Sequence, residues 1–148
     1  LAGSLVPKGD ALDYLIVDCA PGWDVLSVNI LMAVEEVICP VALQGPALEG
    51  LKTFFGYLMS AQRLNHHLQL KYIVPTMFDQ RTRHSFEILQ QLTRLFRKQI
   101  CDPIRYNVRL SEAPVRGKTI FEYRPSAGSA TDYLKLIRRV SEDGQKQG

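Results

Sequence analysis

The sequence predicts an α/β fold, a parallel sheet with flanking helices. Three observations lead there. Short apolar runs recur along the chain, each closed by proline, glycine or an acid. Stretches with apolar residues at helical spacing separate them. Strands that alternate with helices in this way build parallel sheets through right-handed crossovers.

The first run is Leu12-Asp13-Tyr14-Leu15-Ile16-Val17-Asp18-Cys19-Ala20-Pro21-Gly22. A continuous apolar run bounded by turn residues suits a strand buried on both faces. Asp18 would then emerge at the carboxyl edge of the sheet, where open α/β folds bind ligands. A carboxylate there, followed by a chain-reversing Pro-Gly, has the form of a Walker-B strand that holds a Mg²⁺ shell. The alternative is an acid that caps the next helix or hydrogen-bonds a loop.

Asp24 is placed to cap a helix running to about Ala33, with Leu26, Ile30 and Ala33 on one face. A second strand follows at 36–41, and Gln44-Gly45-Pro46 turns the chain. The next helix is expected over about 47–64, its buried stripe Leu48, Leu51, Phe55 and Leu58. Asn65-His66-His67 ends it, and with no carboxylate or cysteine nearby at ligand spacing the histidine pair reads as an exposed turn. A third strand covers 70–75, and a loop follows at 76–82. A helix is expected over about 83–97 with Phe86, Leu89, Leu92 and Phe96 inward. The segment 100–104 reads as a fourth strand, and 106–125 as a long loop, a length that often carries function. The last helix is expected over about 127–140, apolar at Ala130, Tyr133, Leu134 and Ile137, before a polar tail at 142–148.

The 148 residues, 46% apolar and 22% charged, fit one domain able to bury a core. No apolar run approaches the roughly 20 residues of a membrane span. Cys19, Cys39 and Cys101 have no metal-like spacing and read as reduced thiols in or beside buried strands, which points to the cytoplasm. The net charge of +3 hides an asymmetry: residues 1–93 carry 6 Lys/Arg against 9 Asp/Glu, residues 94–148 carry 12 against 6. A basic carboxyl-terminal third fits either an anionic partner such as nucleic acid or a solvated charged face.

In order, four motifs resemble the ParA-type partition ATPases, relatives of MinD and Soj. The run Asp13-Tyr14-Leu15-Ile16-Val17-Asp18-Cys19-Ala20-Pro21 resembles their Walker-B strand. Pro40-Val41 with Ala47-Leu48-Glu49-Gly50-Leu51 follows at the family's spacing. Thr76-Met77-Phe78-Asp79-Gln80-Arg81-Thr82 resembles a Thr-Met-Tyr-Asp-x-Arg-Thr segment. Asn107-Val108-Arg109-Leu110-Ser111-Glu112-Ala113-Pro114 matches its counterpart throughout, with Gly117-Lys118 in place.

The resemblance implies a P-loop NTPase-like fold of the deviant-Walker type, with residues 1–148 the carboxyl-terminal part of a single such domain and no internal boundary. It implies that Asp18 acts around Mg²⁺, and that Pro21 and Gly22 sit in a switch loop sensing the γ-phosphate of ATP. Thr76, Met77, Phe78 and Asp79, with Ala113 and Pro114, would pack beside the base. Arg109 would contact DNA, with Lys135, Arg138 and Arg139 extending that surface; the alternative for Arg109 is an ion pair with Glu112. The implied partners are non-specific DNA, a second copy in a homodimer and a ParB-like activating protein, at the nucleoid in the cytoplasm. Some positions depart from the family: Ala20, Gly22, Arg105 and Tyr106, Thr119 and Arg124. These bear on how a base would pack.

No Gly-x-x-x-x-Gly-Lys-Ser/Thr motif occurs in the sequence, and Leu1 is not an initiator methionine. The expectation is that a phosphate-binding loop lies amino-terminal of Leu1, and that the 148 residues alone neither bind ATP tightly nor hydrolyse it. Two other functions fit the residues. One is a non-catalytic binding module of the same shape. The other is a MinD-like membrane-positioning ATPase, which the polar end 141–148 disfavours because it offers no apolar face to a membrane.

Overall fold

β2 runs Gln69–Thr76. The computed structural model describes residues 12–20 and 22–145. β1, Glu36–Ala42, pairs with one edge of β2. The bonds Gln69 N to Glu35 O (2.7 Å) and Leu43 N to Thr76 O (2.9 Å) advance together along both strands, so the pair is parallel. The other edge of β2 takes the segment 99–106 in parallel, with bridges at Ile73–Ile100 and Phe78–Arg105. The expected fourth strand is therefore present as isolated bridges.

Proline explains the interruption. Each rung of a parallel pair needs one donor from either strand. At Ile73 both exist: its N–H donates to Gln99 O (2.9 Å) and Cys101 N–H donates to Ile73 O (2.8 Å). Two residues on, the donors would be Pro75 and Pro103, and proline has no N–H. Ile104 N–H reaches Pro75 O instead, at 2.8 Å. The ladder resumes where Phe78 N–H donates to Ile104 O (3.1 Å) and Tyr106 N–H to Phe78 O (2.9 Å).

Among the described residues the helices are α1 Val25–Ala33, α2 Ala47–Gln62, α3 Arg83–Leu95, α4 Arg109–Val115, α5 Ile120–Tyr123 and α6 Gly128–Gln145. Asp24 caps α1 as expected, its Oδ1 accepting from Ser27 N–H at 2.7 Å. Two compact units share the described chain. One draws on the chain up to Val37 and on Gly50–Lys71, the other on Ile38–Glu49 and on the chain from Tyr72 onward. The first is centred on Leu58, Ala61 and Leu68, with Leu31, Met32, Phe54 and Phe55 against them. Asn65 closes it: its amide donates to Leu31 O and Val34 O, both at 2.9 Å, satisfying carbonyls left open at the end of α1. The second unit packs Tyr72, Val74, Cys101 and Ile104 against Leu110, Tyr133, Leu136 and Val140.

Several expectations are corrected. The run 12–17 forms no strand; Leu12, Tyr14, Leu15 and Ile16 are exposed, Ile16 at 86%. A strand buried on both faces needs a hydrogen-bonded neighbour on each edge, and among the described residues none pairs with 12–20. In α1 Leu26 is exposed and Ser27 is buried. In α3 the buried stripe is Ser85, Ile88 and Leu92, and Phe86 is exposed. Ser85 turns the helix: its hydroxyl donates to Leu43 O (3.2 Å) and accepts from Thr82 Oγ1 (2.9 Å), so a polar residue takes a core position fully satisfied. The 106–125 loop contains α4 and α5. The final helix runs on to Gln145, and it buries Ser129, Ala130 and Asp132 while Leu134 and Ile137 are exposed.

Candidate functional site

The motif residues of the second unit gather at the carboxyl end of β2. Thr76 ends the strand, and Met77 takes a left-handed turn with φ 54°. A non-glycine residue there is strained. The strain is held because Phe78 is bonded through both its N–H and its C=O to the 104–106 backbone. The turn sends neighbouring side chains apart: Met77 is 47% exposed, while Phe78 is buried edge-on against Phe86 with ring centroids 5.0 Å apart. Asp79 folds back on Arg81, accepting from its backbone N–H (3.0 Å), Nε (2.9 Å) and Nη2 (2.8 Å). The Arg81 side-chain bonds hold the Asp79 carboxyl down at about 2. It is therefore a carboxylate at neutral pH, already engaged by a cation.

Asn107 opens α4. Its Oδ1 accepts from Arg109 N–H at 3.0 Å, the local turn that asparagine favours before a helix. Ala113 is buried in the helix and Pro114 is exposed. Arg109 Nη1 donates to Glu112 Oε2 at 2.6 Å, so the ion pair considered from the sequence is formed. The Tyr123 hydroxyl donates to the same oxygen at 2.9 Å. Bonds from Arg109, then Tyr123, lower the Glu112 pKa, and the bond to Glu112 raises that of Arg109. Thr119 has its own use: it caps α5, its hydroxyl accepting from Glu122 N–H (3.3 Å) while its N–H donates (2.8 Å) to the Glu122 carboxylate.

The three cations assigned to α6 differ. Lys135 makes an exposed 3.5 Å pair with Asp102, and Arg138 is exposed. Arg139 turns inward: its guanidinium donates to Ile100 O and to Lys98 O (2.7 Å) and lies 5.3 Å from the centre of the Tyr72 ring. Tyr72 in turn donates its hydroxyl to Asp143 at 2.9 Å.

Sequence reasoning missed one constellation here. Arg105 grips Asp132 on α6 with Nε to Oδ2 and Nη2 to Oδ1, both 2.8 Å, while its backbone N–H reaches Oδ2 at 3.2 Å. Burial raises the Asp132 pKa, but the Arg105 bonds outweigh it and the net shift is downward. The guanidinium passes so close to Gly128 that a Cβ there would meet Nη1 at 2.8 Å. A glycine beginning the helix and an acid among apolar positions were the available signals. Ser129, next in the helix, is fully buried, and its hydroxyl has no partner among the described residues.

In the first unit, Asp18 is exposed on the 12–20 stretch, and Gly22 is exposed with open space where a Cβ would stand. Pro21 lies outside the described residues. Among the described residues no group of three or more His, Cys, Asp or Glu side chains is placed to hold a metal ion. Asp18, exposed as it is, does not make a Mg²⁺ site by itself. Burial pushes the Cys39 thiol up to about 11 and Cys101 also upward, the direction of unreactive structural thiols, whereas Cys19 is exposed. No helix among the described residues is long and apolar enough to cross a membrane.

Comparison with known proteins agrees with the motifs. A family model described as an AAA domain matches residues 1–70. The sporulation initiation inhibitor protein Soj of Bacillus subtilis is 37% identical over 134 residues, 89% of this chain and 53% of that protein. The chromosome-partitioning ATPase Soj of Treponema pallidum is 36% identical over 140 residues, covering 93% and 55%. The chromosome partitioning protein ParA of Myxococcus xanthus is 34% identical over 142 residues, covering 95% and 50%. The chain thus spans about half the length of the curated relatives it matches. Matched along nine-tenths of its residues by proteins of one kind, the chain belongs to the ParA/Soj family of partitioning proteins.

Proposed function

We propose that the polypeptide carrying this chain is a ParA-type ATPase that binds ATP and Mg²⁺, dimerises, and binds DNA without sequence preference in chromosome or plasmid partitioning. The two compact units are parts of its single nucleotide-binding domain. Asp18 supplies a carboxylate to the Mg²⁺ shell, with Pro21 and Gly22 in the adjoining switch loop. The Met77–Phe78 turn and the Ala113–Pro114 end of α4 border the base. A ParB-like partner stimulates hydrolysis, and the protein works at the nucleoid in the cytoplasm.

One observation carries the DNA part of this reading. The segment 107–114 folds into an asparagine-opened helix whose first residue, Arg109, keeps 42% of its side chain exposed while staying fixed at its base. A tethered, exposed guanidinium suits a phosphate oxygen. Lys135 and Arg138 lie exposed on α6 of the same unit, whereas Arg139 serves to hold α6 to the 99–106 segment. Phosphate contacts of this kind are sequence-independent and sensitive to salt.

The test is Arg109→Glu in the polypeptide as the cell makes it, loaded with ATP and Mg²⁺. Its affinity for duplex DNA of unrelated sequences should fall uniformly, by about tenfold near 100 mM salt, and the salt slope should flatten by about one phosphate contact. Unchanged affinity and slope would remove Arg109 from the DNA surface.

A further inference from the structure

Arg109 is a restrained cation. Glu112 faces it one turn along α4, its Oε2 2.6 Å from Arg109 Nη1. That oxygen is itself fixed by the Tyr123 hydroxyl of α5 at 2.9 Å. Arg116, a further turn on, lies over the Tyr123 ring at 5.6 Å from its centre. Residues 109 and 112 share one face of α4 because helical neighbours recur at three- and four-residue spacing, and Arg116 is the residue that ends the helix. One guanidinium therefore bonds the carboxylate, and a tyrosine whose ring lies beneath a second guanidinium holds that carboxylate in place. The arrangement is only half-buried, with Arg109 and Glu112 side chains 42% and 36% exposed, so an incoming anion can reach it.

An anion that binds Arg109 must share it with Glu112 or displace it. A lone phosphate gains one contact and meets the repulsion of the carboxylate. A duplex presents a charge about every 1.7 Å along its axis, and release of its condensed counterions adds to each contact made. We propose that Glu112, held by Tyr123, is a positioning residue that aims Arg109 outward and sets a charge threshold, so that dense polyanions engage Arg109 and isolated phosphates do not. This rests on the DNA-binding reading above. The same carboxylate would lower the net affinity for DNA in exchange for that selectivity.

The experiment measures duplex binding by anisotropy across salt for the natural polypeptide with ATP and Mg²⁺. It compares the unaltered protein with Glu112→Gln, Tyr123→Phe and Arg109→Ala. In parallel, modification of Arg109 by phenylglyoxal is followed by peptide mass, with and without inorganic phosphate. Glutamine keeps an acceptor for Tyr123 and removes only the charge. Expected for Glu112→Gln is a two- to fivefold tighter complex at low salt, about the fold-change carried by one exposed ion pair. Its salt slope should stay close to that of the unaltered protein, because Arg109 already meets a phosphate there. Arg109 should react faster in that variant, and millimolar phosphate should protect it there alone. Tyr123→Phe should shift the same readouts in the same direction by less. If Arg109→Ala weakens binding while Glu112→Gln leaves affinity, reactivity and phosphate protection unchanged, the guard role is overturned and the DNA reading stands. If no variant binds DNA, both fall.

Discussion

Removing the Asp132 carboxylate should unfasten α6 from the 99–106 segment. Asp132 is 6% exposed at its side chain and receives two guanidinium bonds and one backbone bond from Arg105. Deleting one partner of a fully buried ion pair costs about 3–5 kcal/mol. Arg105 is 42% exposed and can turn its guanidinium to water, which discounts that figure. Its backbone N–H, left without an acceptor, keeps part of the cost. We expect Asp132→Ala to lose about 2–3 kcal/mol. Arg105→Ala should lose a similar amount, because it strands a nearly buried carboxylate. The two losses share one interaction, so the double variant should lose about 3 kcal/mol, a coupling of about 2 kcal/mol. Urea titration followed by circular dichroism reads this directly: with a slope of about 1–3 kcal/mol/M, each single variant should move the midpoint by about 1–2 M. Losses that simply add, to within about 0.5 kcal/mol, would refute the pairing as the source of stability.

Two further outcomes follow from the same corner. Gly128→Ala places a Cβ 2.8 Å from Arg105 Nη1 and 2.9 Å from Cζ, so it should destabilise the chain by about 1 kcal/mol despite the better helix propensity of alanine, and should cost less in the Arg105→Ala background, where these nearest atoms are gone. Acid should weaken the chain through Asp79 and Asp132, whose folded pKa values lie below the ordinary carboxylate value, Asp79 at about 2. Groups shifted that way lend stability above the unfolded value of about 3.9 and lose it as pH falls through the folded one, so stability measured by urea titration should drop between about pH 4 and pH 2, less steeply in Asp132→Asn.

Local signals were the ones the sequence made legible. Asp24 before an apolar stretch gave the start of α1, and Gly45-Pro46 placed the turn before α2. The strands at 36–42 and 69–76 were short apolar runs with clear stops. Faces were harder, because burial followed hydrogen bonds as well as hydropathy. Ser85 and Asp132 occupy core positions since partners distant in sequence satisfy them, and Phe86, Leu134 and Ile137 are displaced outward. α4 and α5, with 7 and 4 residues and a proline inside the first, are too short for any periodicity to register. The run 12–17 has a strand's composition, yet composition cannot supply the neighbours that a strand needs. At the site, the motifs named Arg109 and its alternative partner Glu112. Tyr123, which joins them from the next helix, and the Arg105–Asp132 grip across to α6 are tertiary facts that no motif encodes.

The two prolines at the joint of β2 and the 99–106 segment also act as an alignment key. In the observed pairing both missing donors fall on the same rung, so the ladder loses one rung and Ile104 restores half of it. Slide the segment by two residues either way and the prolines separate. Two rungs would then be spoiled, and good donors elsewhere would face them. A single offset keeps the damage in one place, so residues that cannot bond select the alignment that the bonding residues alone would leave open to slippage.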